Sequence, residues 1–343
     1  MIAAAAPADA VTSQALAWRR LLADHGTGGR IYAEHVHPDL AGEVEHLDRF
    51  RAADDPDARV LLRHSIGSRA VEAALTVPRE RLALLYHNIT PAPLLAAHQP
   101  GLARLCQEGR DALPALARAV RGAIADSGYN AAELERAGFP APRVVPLLLD
   151  VADRSGSRTD VSAPRVVSVG RVVPSKRLEE AIRAVALLAH RRPDVNLELI
   201  GSWDGFERYR DALERFARAA GVQDAVHLRG RVGDRERDAA YDRAAVYLCT
   251  SAHEGFCAPL VEAMARGLPV VAHDAGAVAE TLGGAGLVVP AGDAALTAEA
   301  IEAVCDDAGL RAGLRARAGA RLGRLAPAAV APRVLAAVRE VFG

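Results

Sequence analysis

The amino-acid sequence predicts an α/β protein made of two doubly wound, Rossmann-like domains. Three observations carry this expectation. Short β-branched runs alternate with amphipathic helical patterns along the chain, the spacing that parallel sheets with crossover helices require. At 343 residues the chain is long for one hydrophobic core, and two domains of ordinary size fit it better. The stretch 151–164 (VADRSGSRTDVSAP) breaks the alternation, because it lacks periodicity and is rich in Ser, Asp and Gly, as linkers are. The expected domains are therefore 1–155 and 156–343, with a last helical pattern over 326–343 numbered with the second but its placement left open. Two such domains facing each other put the carboxyl ends of both sheets at a shared cleft.

In the first half, 30–34, 59–65, 81–88, 122–127 and 143–149 read as strands, and 10–25, 68–77, 101–120 and 130–137 as helices. In the second half the strands are 165–171, 196–201, 225–231, 246–251, 268–274 and 286–290. The segment 177–191 places Leu178, Ala181, Ile182, Val185 and Leu188 on one helix face.

Composition narrows the function. Half the residues are apolar, a quarter are charged and the net charge is −1, so no overall field attracts nucleic acid. Aromatics make up only 4%, too few for a base-stacking surface. Cys106, Cys249, Cys257 and Cys305 form no CxxC and no zinc spacing, which suits small buried thiols in a reduced, cytoplasmic protein. His35 and His37 lack a third ligand nearby in the sequence, so no metal site is expected. The start MIAAAAPADAVT has no charged region before its short apolar run, unlike a signal peptide. No stretch reaches the roughly 20 apolar residues of a membrane span. The AWRRLL segment (17–22) reads as core packing, leaving membrane contact at most peripheral.

Lys176 is the only lysine among 42 Lys plus Arg. Where either cation serves, this chain has Arg, so the surviving Lys needs a reason, and a compact point charge is one. It stands in VGRVVPSKR (169–177), where Gly170 and Arg171 end a strand, Pro174 turns the chain and Ser175 is the expected N-cap. Arg171 and Lys176 beside a helix mouth suit a diphosphate. In HEGFCAPLVEAMARGLPVV (253–271), Glu254 follows a strand, Gly255 permits close backbone approach, and Pro259 suits the first turn of a helix that Gly267 ends. Glu262, one turn in, is placed to accept from the hydroxyls of a ribose.

At these residues the sequence resembles the retaining GT-B glycosyltransferases of family 4. The resemblance covers most of the chain and is dense at 166–177, 226–232, 254–276 and 285–293. It implies that Arg171 and Lys176 hold the donor's diphosphate, that Glu254 contacts the transferred sugar and that Glu262 binds the nucleotide ribose. It further implies that Gly255, Phe256, Cys257 and Ala258 cradle sugar hydroxyls and phosphate, and that Gly170, Gly201, Arg231 and Val232 line the nucleotide side. His87, in HNITP (87–91), matches the histidine that faces the reacting sugar. His64 and Ser65 form a second polar mouth, toward donor or acceptor.

Two departures stand out. Cys257 replaces the commoner Gly, and the first strand looks abbreviated, with Ala8 where Gly is common. The implied activity is hexosyl transfer, with retention, from a UDP- or GDP-linked sugar to a small-molecule, glycan or lipid-linked acceptor, without metal or cofactor. An epimerase or phosphorylase on the same fold, or a non-catalytic nucleotide-sugar-binding subunit, are the alternatives.

Overall fold

Every strand pairing among the described residues is parallel. The structure is a computed structural model that describes residues 1–7, 9–150, 161 and 163–343. Ala8 and most of the expected linker lie outside the described residues. Two units separate. The first contains Met1–Ala92, Gly101–Asp150 and Leu325–Gly343; the second contains Pro93–Pro100 and the chain from the linker to Arg324.

The first unit carries β1 (Ile2–Ala5), β2 (Tyr32–Val36), β3 (Glu45–His46), β4 (Val60–His64), β5 (Leu82–Tyr86), β6 (Gly122–Ala125) and β7 (Arg143–Val144). They pair in the orders β1-β2-β3 and β4-β5-β6-β7. The two groups meet where the Arg63 N–H donates to the Met1 carbonyl at 2.9 Å. All five residues of β5, LALLY, are buried, the continuous apolar run of a parallel strand covered on both faces.

The first strand is short but present, and β1 pairs Ile2 with Ala33 and Ala4 with His35. β3, two residues long, was too brief to leave a periodic signal. The expected helix 101–120 is two helices, Pro100–Asp111 and Leu113–Ala119. Pro114 causes the break, since it has no N–H for the preceding turn and fits only a helix start.

The last helix, Pro327–Phe342, whose placement the sequence left open, belongs with the first unit, so the second unit stops short of the expected 156–343. Its Val330, Val334, Ala337, Val341 and Phe342 share one core with Trp18, Ala83, Leu85, Ile124 and Val145. Trp18 of AWRRLL is thus core, as its segment predicted.

The second unit holds β8 (Arg165–Val169), β9 (Asn196–Ile200), β10 (Val226–Gly230), β11 (Val246–Cys249), β12 (Val270–His273) and β13 (Leu287–Val289). Their order is β10-β9-β8-β11-β12-β13. Strand order reverses between β8 and β11, and ligands of open α/β sheets bind outside the carboxyl ends at such a point. β8 ends at Val169 and β11 at Cys249, just before the two segments singled out by the sequence.

Candidate active site at the switch point of the second sheet

Beyond β8 the chain passes Gly170 (φ 146°) and Arg171 into a 3₁₀ turn, Pro174–Lys176. Gly170 touches the end of β9: its N–H donates to the Ile200 carbonyl at 2.9 Å. A Cβ on Gly201 (φ 152°) would stand 1.9 Å from the Gly170 oxygen, so only glycine fits there. Ser175 is not the N-cap of the next helix. That place belongs to Arg177, whose left-handed backbone (φ 49°, ψ 44°) precedes helix Leu178–Ala189. The 3₁₀ turn takes up Ser175 and delays the helix, and the Ser175 carbonyl instead accepts from the Ala252 N–H at 2.8 Å. The Thr250 hydroxyl donates to the Lys176 carbonyl at 2.9 Å. These two bonds stitch the turn to the loop beyond β11.

That stitching brings Lys176 to Glu254. Lys176 Nζ lies 2.5 Å from Glu254 Oε1, with the side chains 23% and 11% exposed. The Ser251 hydroxyl donates to the same oxygen at 2.6 Å. Burial alone would lower the Lys176 pKa, but the Glu254 carboxylate beside it outweighs burial and holds the ammonium above its ordinary value. The backbone of Glu254 is fixed too. Its carbonyl accepts from the Ala277 N–H at 2.9 Å, and a Cβ on Gly276 would stand 2.2 Å from that oxygen.

From Glu254 the chain runs through Gly255 and the buried Phe256, whose carbonyl accepts from the Thr281 hydroxyl at 2.6 Å. Cys257 (φ 70°, ψ 71°) then caps helix Ala258–Ala265, with Pro259 in its first turn. The sulfurs of Cys249 and Cys257 and a Glu254 oxygen all lie within 4.8 Å of one another. No spacing rule in the sequence announced this meeting. Its atoms include metal-ligand types, but the Lys176 ammonium on the same carboxylate opposes a second cation.

Glu262 accepts from the Tyr241 hydroxyl at 2.9 Å through Oε2, and Tyr241 stacks on Tyr247 with centroids 6.0 Å apart. Burial, then the Glu262 charge, pushes the Tyr241 hydroxyl well above its ordinary range, so it remains a donor. Arg171 is exposed, its guanidinium 5.6 Å over the Phe206 ring. Arg231 is exposed as well, 3.9 Å from Asp204 across a loose ion pair, and Val232 is half-buried. Sequence reading missed Thr250, Ser251, Tyr241 and Gly276. Only Gly276 and Ser251 had a signal, as the glycine of the DAG turn and the hydroxyl three residues before Glu254.

In the first unit His87 follows β5. Its Nδ1–H donates to Asp126 Oδ2 at 2.7 Å, and Arg63 Nη1 donates to Nε2 at 3.2 Å. Arg63 can only donate, which fixes the tautomer with the proton on Nδ1. Burial pulls Arg63 down to about 10, and its guanidinium also covers the Trp18 ring at 4.7 Å. His64 is no polar mouth. It is buried, with Nε2–H donating to the Gly109 carbonyl at 2.8 Å.

The family model of glycosyl transferases group 1 matches residues 152–321. Across 279 residues the chain is 32% identical to phosphatidyl-myo-inositol mannosyltransferase of Mycolicibacterium smegmatis, covering 79% of this chain and 68% of that protein. The chain belongs to this family. A second relative, MMP alpha-(1->4)-mannosyltransferase of Mycolicibacterium hassiacum, is 36% identical over 139 residues, 39% of this chain, and the match spans only 33% of that protein's length. Solved structures share the two-domain GT-B fold. Sucrose-phosphate synthase from Thermosynechococcus elongatus superposes with a TM-score of 0.75 at 19% identity, covering 99% of this chain and 98% of that one. Anabaena Alr3699/HepE in complex with UDP and glucose gives 0.68 at 21% identity, covering 94% and 89%. No helix among the described residues is long and apolar enough to cross a membrane.

Proposed function

We propose that this group 1 protein transfers a hexosyl group from a UDP- or GDP-linked sugar to a hydroxyl acceptor with retention of configuration. The observation that carries the reading is the Lys176–Glu254 pair at the switch point, 2.5 Å long and beside the Gly255–Ala258 loop that opens a helix. An ammonium held at a helix mouth is what a departing diphosphate needs, because charge develops there as the sugar–phosphate bond breaks.

In this reading the acceptor oxygen bonds to the anomeric carbon from the face the diphosphate leaves. The diphosphate departs with the electron pair of the broken C–O bond and takes the acceptor's proton. Lys176 and Arg171 stabilise it. Glu254 moves from its partner Lys176 toward the sugar hydroxyls once the donor supplies a competing anion. Glu262 accepts from the ribose hydroxyls, and the Gly170, Gly201, Arg231 and Val232 backbone receives the nucleotide. Two cations make a metal unnecessary. His87 enters only through the resemblance, as the histidine toward the sugar; Asp126 and Arg63 fix its ring.

Relatives named for phosphatidyl-myo-inositol and D-inositol 3-phosphate acceptors define the first acceptor panel. The test is release of free UDP or GDP from a panel of nucleotide-sugars, with and without those acceptors. Acceptor-dependent release with an α-linked product from an α-linked donor supports the reading. An inverted product, or conversion of the sugar without nucleotide release, refutes it.

A further inference from the structure

Cys249 closes β11 and Cys257 caps the following helix, eight positions on. Their thiols converge from two directions: both residues are buried, at 3% and 6% exposure, with sulfurs no more than 4.8 Å apart. Cys249 also lies 3.5 Å from the Ser251 hydroxyl, and that hydroxyl serves Glu254. The two thiols are unequal. Their shared hydrogen bond holds Cys249 below its ordinary pKa, against burial, with Lys176 assisting. The same bond, with burial, raises Cys257 well above its own. Cys249, with the Ser251 hydroxyl 3.5 Å from its sulfur, is the thiol better placed to ionise. Cys106 and Cys305, buried in other helices, are both pushed up by burial.

We propose that Cys249 and Cys257 form an oxidation site under the donor loop, a dithiol that hydroperoxides convert to a disulfide. The Cys249 thiolate attacks the O–O bond of hydrogen peroxide, forming a sulfenic acid and releasing hydroxide. Cys257 then attacks the sulfenic sulfur, forming the S–S bond and expelling the oxygen as water. Two thiols and one peroxide give one disulfide and two waters; sulfur loses two electrons and peroxide gains them. A disulfide needs sulfurs about 2.05 Å apart. Closing it draws the Gly255–Cys257 loop toward β11 and disturbs the left-handed cap and the Lys176–Glu254 pair. That consequence rests on the function proposed above; formation of the bond does not.

The experiment treats the full chain with hydrogen peroxide, quenches, denatures, alkylates and maps peptides by mass spectrometry. UDP and GDP binding is measured by calorimetry before oxidation, after it and after dithiothreitol. Two of the four thiols should be lost, in one peptide pair linking Cys249 to Cys257, and dithiothreitol should restore them. Affinity for whichever nucleotide binds should fall about tenfold or more on oxidation and recover on reduction. Cys249→Ala, with Cys249→Ser as a second variant should the first melt early, should bind nucleotide normally and ignore peroxide. Four thiols still alkylating, a link to Cys106 or Cys305, or equal peroxide sensitivity in Cys249→Ala would each overturn the proposal. Failure of the reduced protein to bind either nucleotide, with the Cys249–Cys257 link intact, counts against the donor-site reading and leaves the thiol site standing.

Discussion

Replacing Lys176 by Arg, by Ala, and by Ala together with Glu254→Gln separates catalysis from structure. The Lys176 stem leaves little room, because its Cε and Nζ lie 3.5 and 3.6 Å from where a Cβ on Gly170 would be. Nζ is already 2.5 Å from Glu254. Arg keeps the charge but brings a longer, planar fork that cannot set one ammonium against the leaving oxygen. Transition-state stabilisation should then fall more than ground-state attraction. The expected loss is about 10²–10³ in kcat, with a modest rise in KM and little change in melting. Lys176→Ala leaves Glu254 in a mostly closed site with Ser251 as its remaining described partner, which should cost about 3 kcal/mol. At about 2–4 °C per kcal/mol in a domain of this size, Tm drops by roughly 6–12 °C. Adding Glu254→Gln removes the stranded charge and should recover part of that loss, a coupling of about 0.5–3 kcal/mol. The assay is steady-state kinetics beside thermal melts. Near-wild-type kcat in Lys176→Arg would show that the lone lysine is an accident of composition, and an unchanged Tm in Lys176→Ala would show that the ion pair holds nothing together.

Four further outcomes are expected. Glu262→Ala should weaken free nucleotide and donor alike, by about 1.5–3 kcal/mol for a charged acceptor; calorimetry giving an unchanged Kd removes Glu262 from the ribose role. Activity should persist in EDTA, and loss restored by Mg²⁺ or Mn²⁺ would refute the metal-free reading. Gly276→Ala should cut kcat and destabilise the second unit together, because its Cβ would overlap the Glu254 carbonyl; an enzyme with wild-type kinetics and melting contradicts this. His64, whose pKa burial lowers and whose Nδ1 is buried without a hydrogen-bond partner among the described residues, should make stability fall on the acid side. The unfolded chain takes up a proton near pH 6.5 that the native state refuses until lower pH. Tm should therefore drop as pH falls below about 6.5 and level off below the native value, and His64→Gln should flatten that slope.

The parallel architecture was readable because some of its strands are continuous apolar runs, as in LALLY and VYLC, and helices of clear period separate them. Helix ends were less so. Pro114 splits a pattern whose apolar spacing continues past it, and Ser175 has the chemistry of a cap yet is consumed by a 3₁₀ turn. Lys176 and Glu254 were legible as individuals, one through composition and the other through its place after a strand. Their contact was not, because it depends on how the loops beyond β8 and β11 are tied together. Cys249 and Cys257 illustrate the same limit: only the turn from strand to helix folds eight residues back on themselves. The last helix exposes a different gap. Its amphipathic face announces that it must be buried, while nothing in that face says against which core.

The return of Pro327–Phe342 to the first unit also orders the life of the chain during synthesis. The first unit begins to emerge from the ribosome before the second, yet it waits for its closing helix until the second unit has been made. At about 5–20 residues per second the delay is on the order of 10–40 s. Throughout that interval Trp18 and the apolar face around Ile124 lack the side chains that will cover them, and the second unit is synthesised to its end before those side chains arrive. The part translated first is thus the part finished last, and it is the one that nascent-chain chaperones would have most reason to shield.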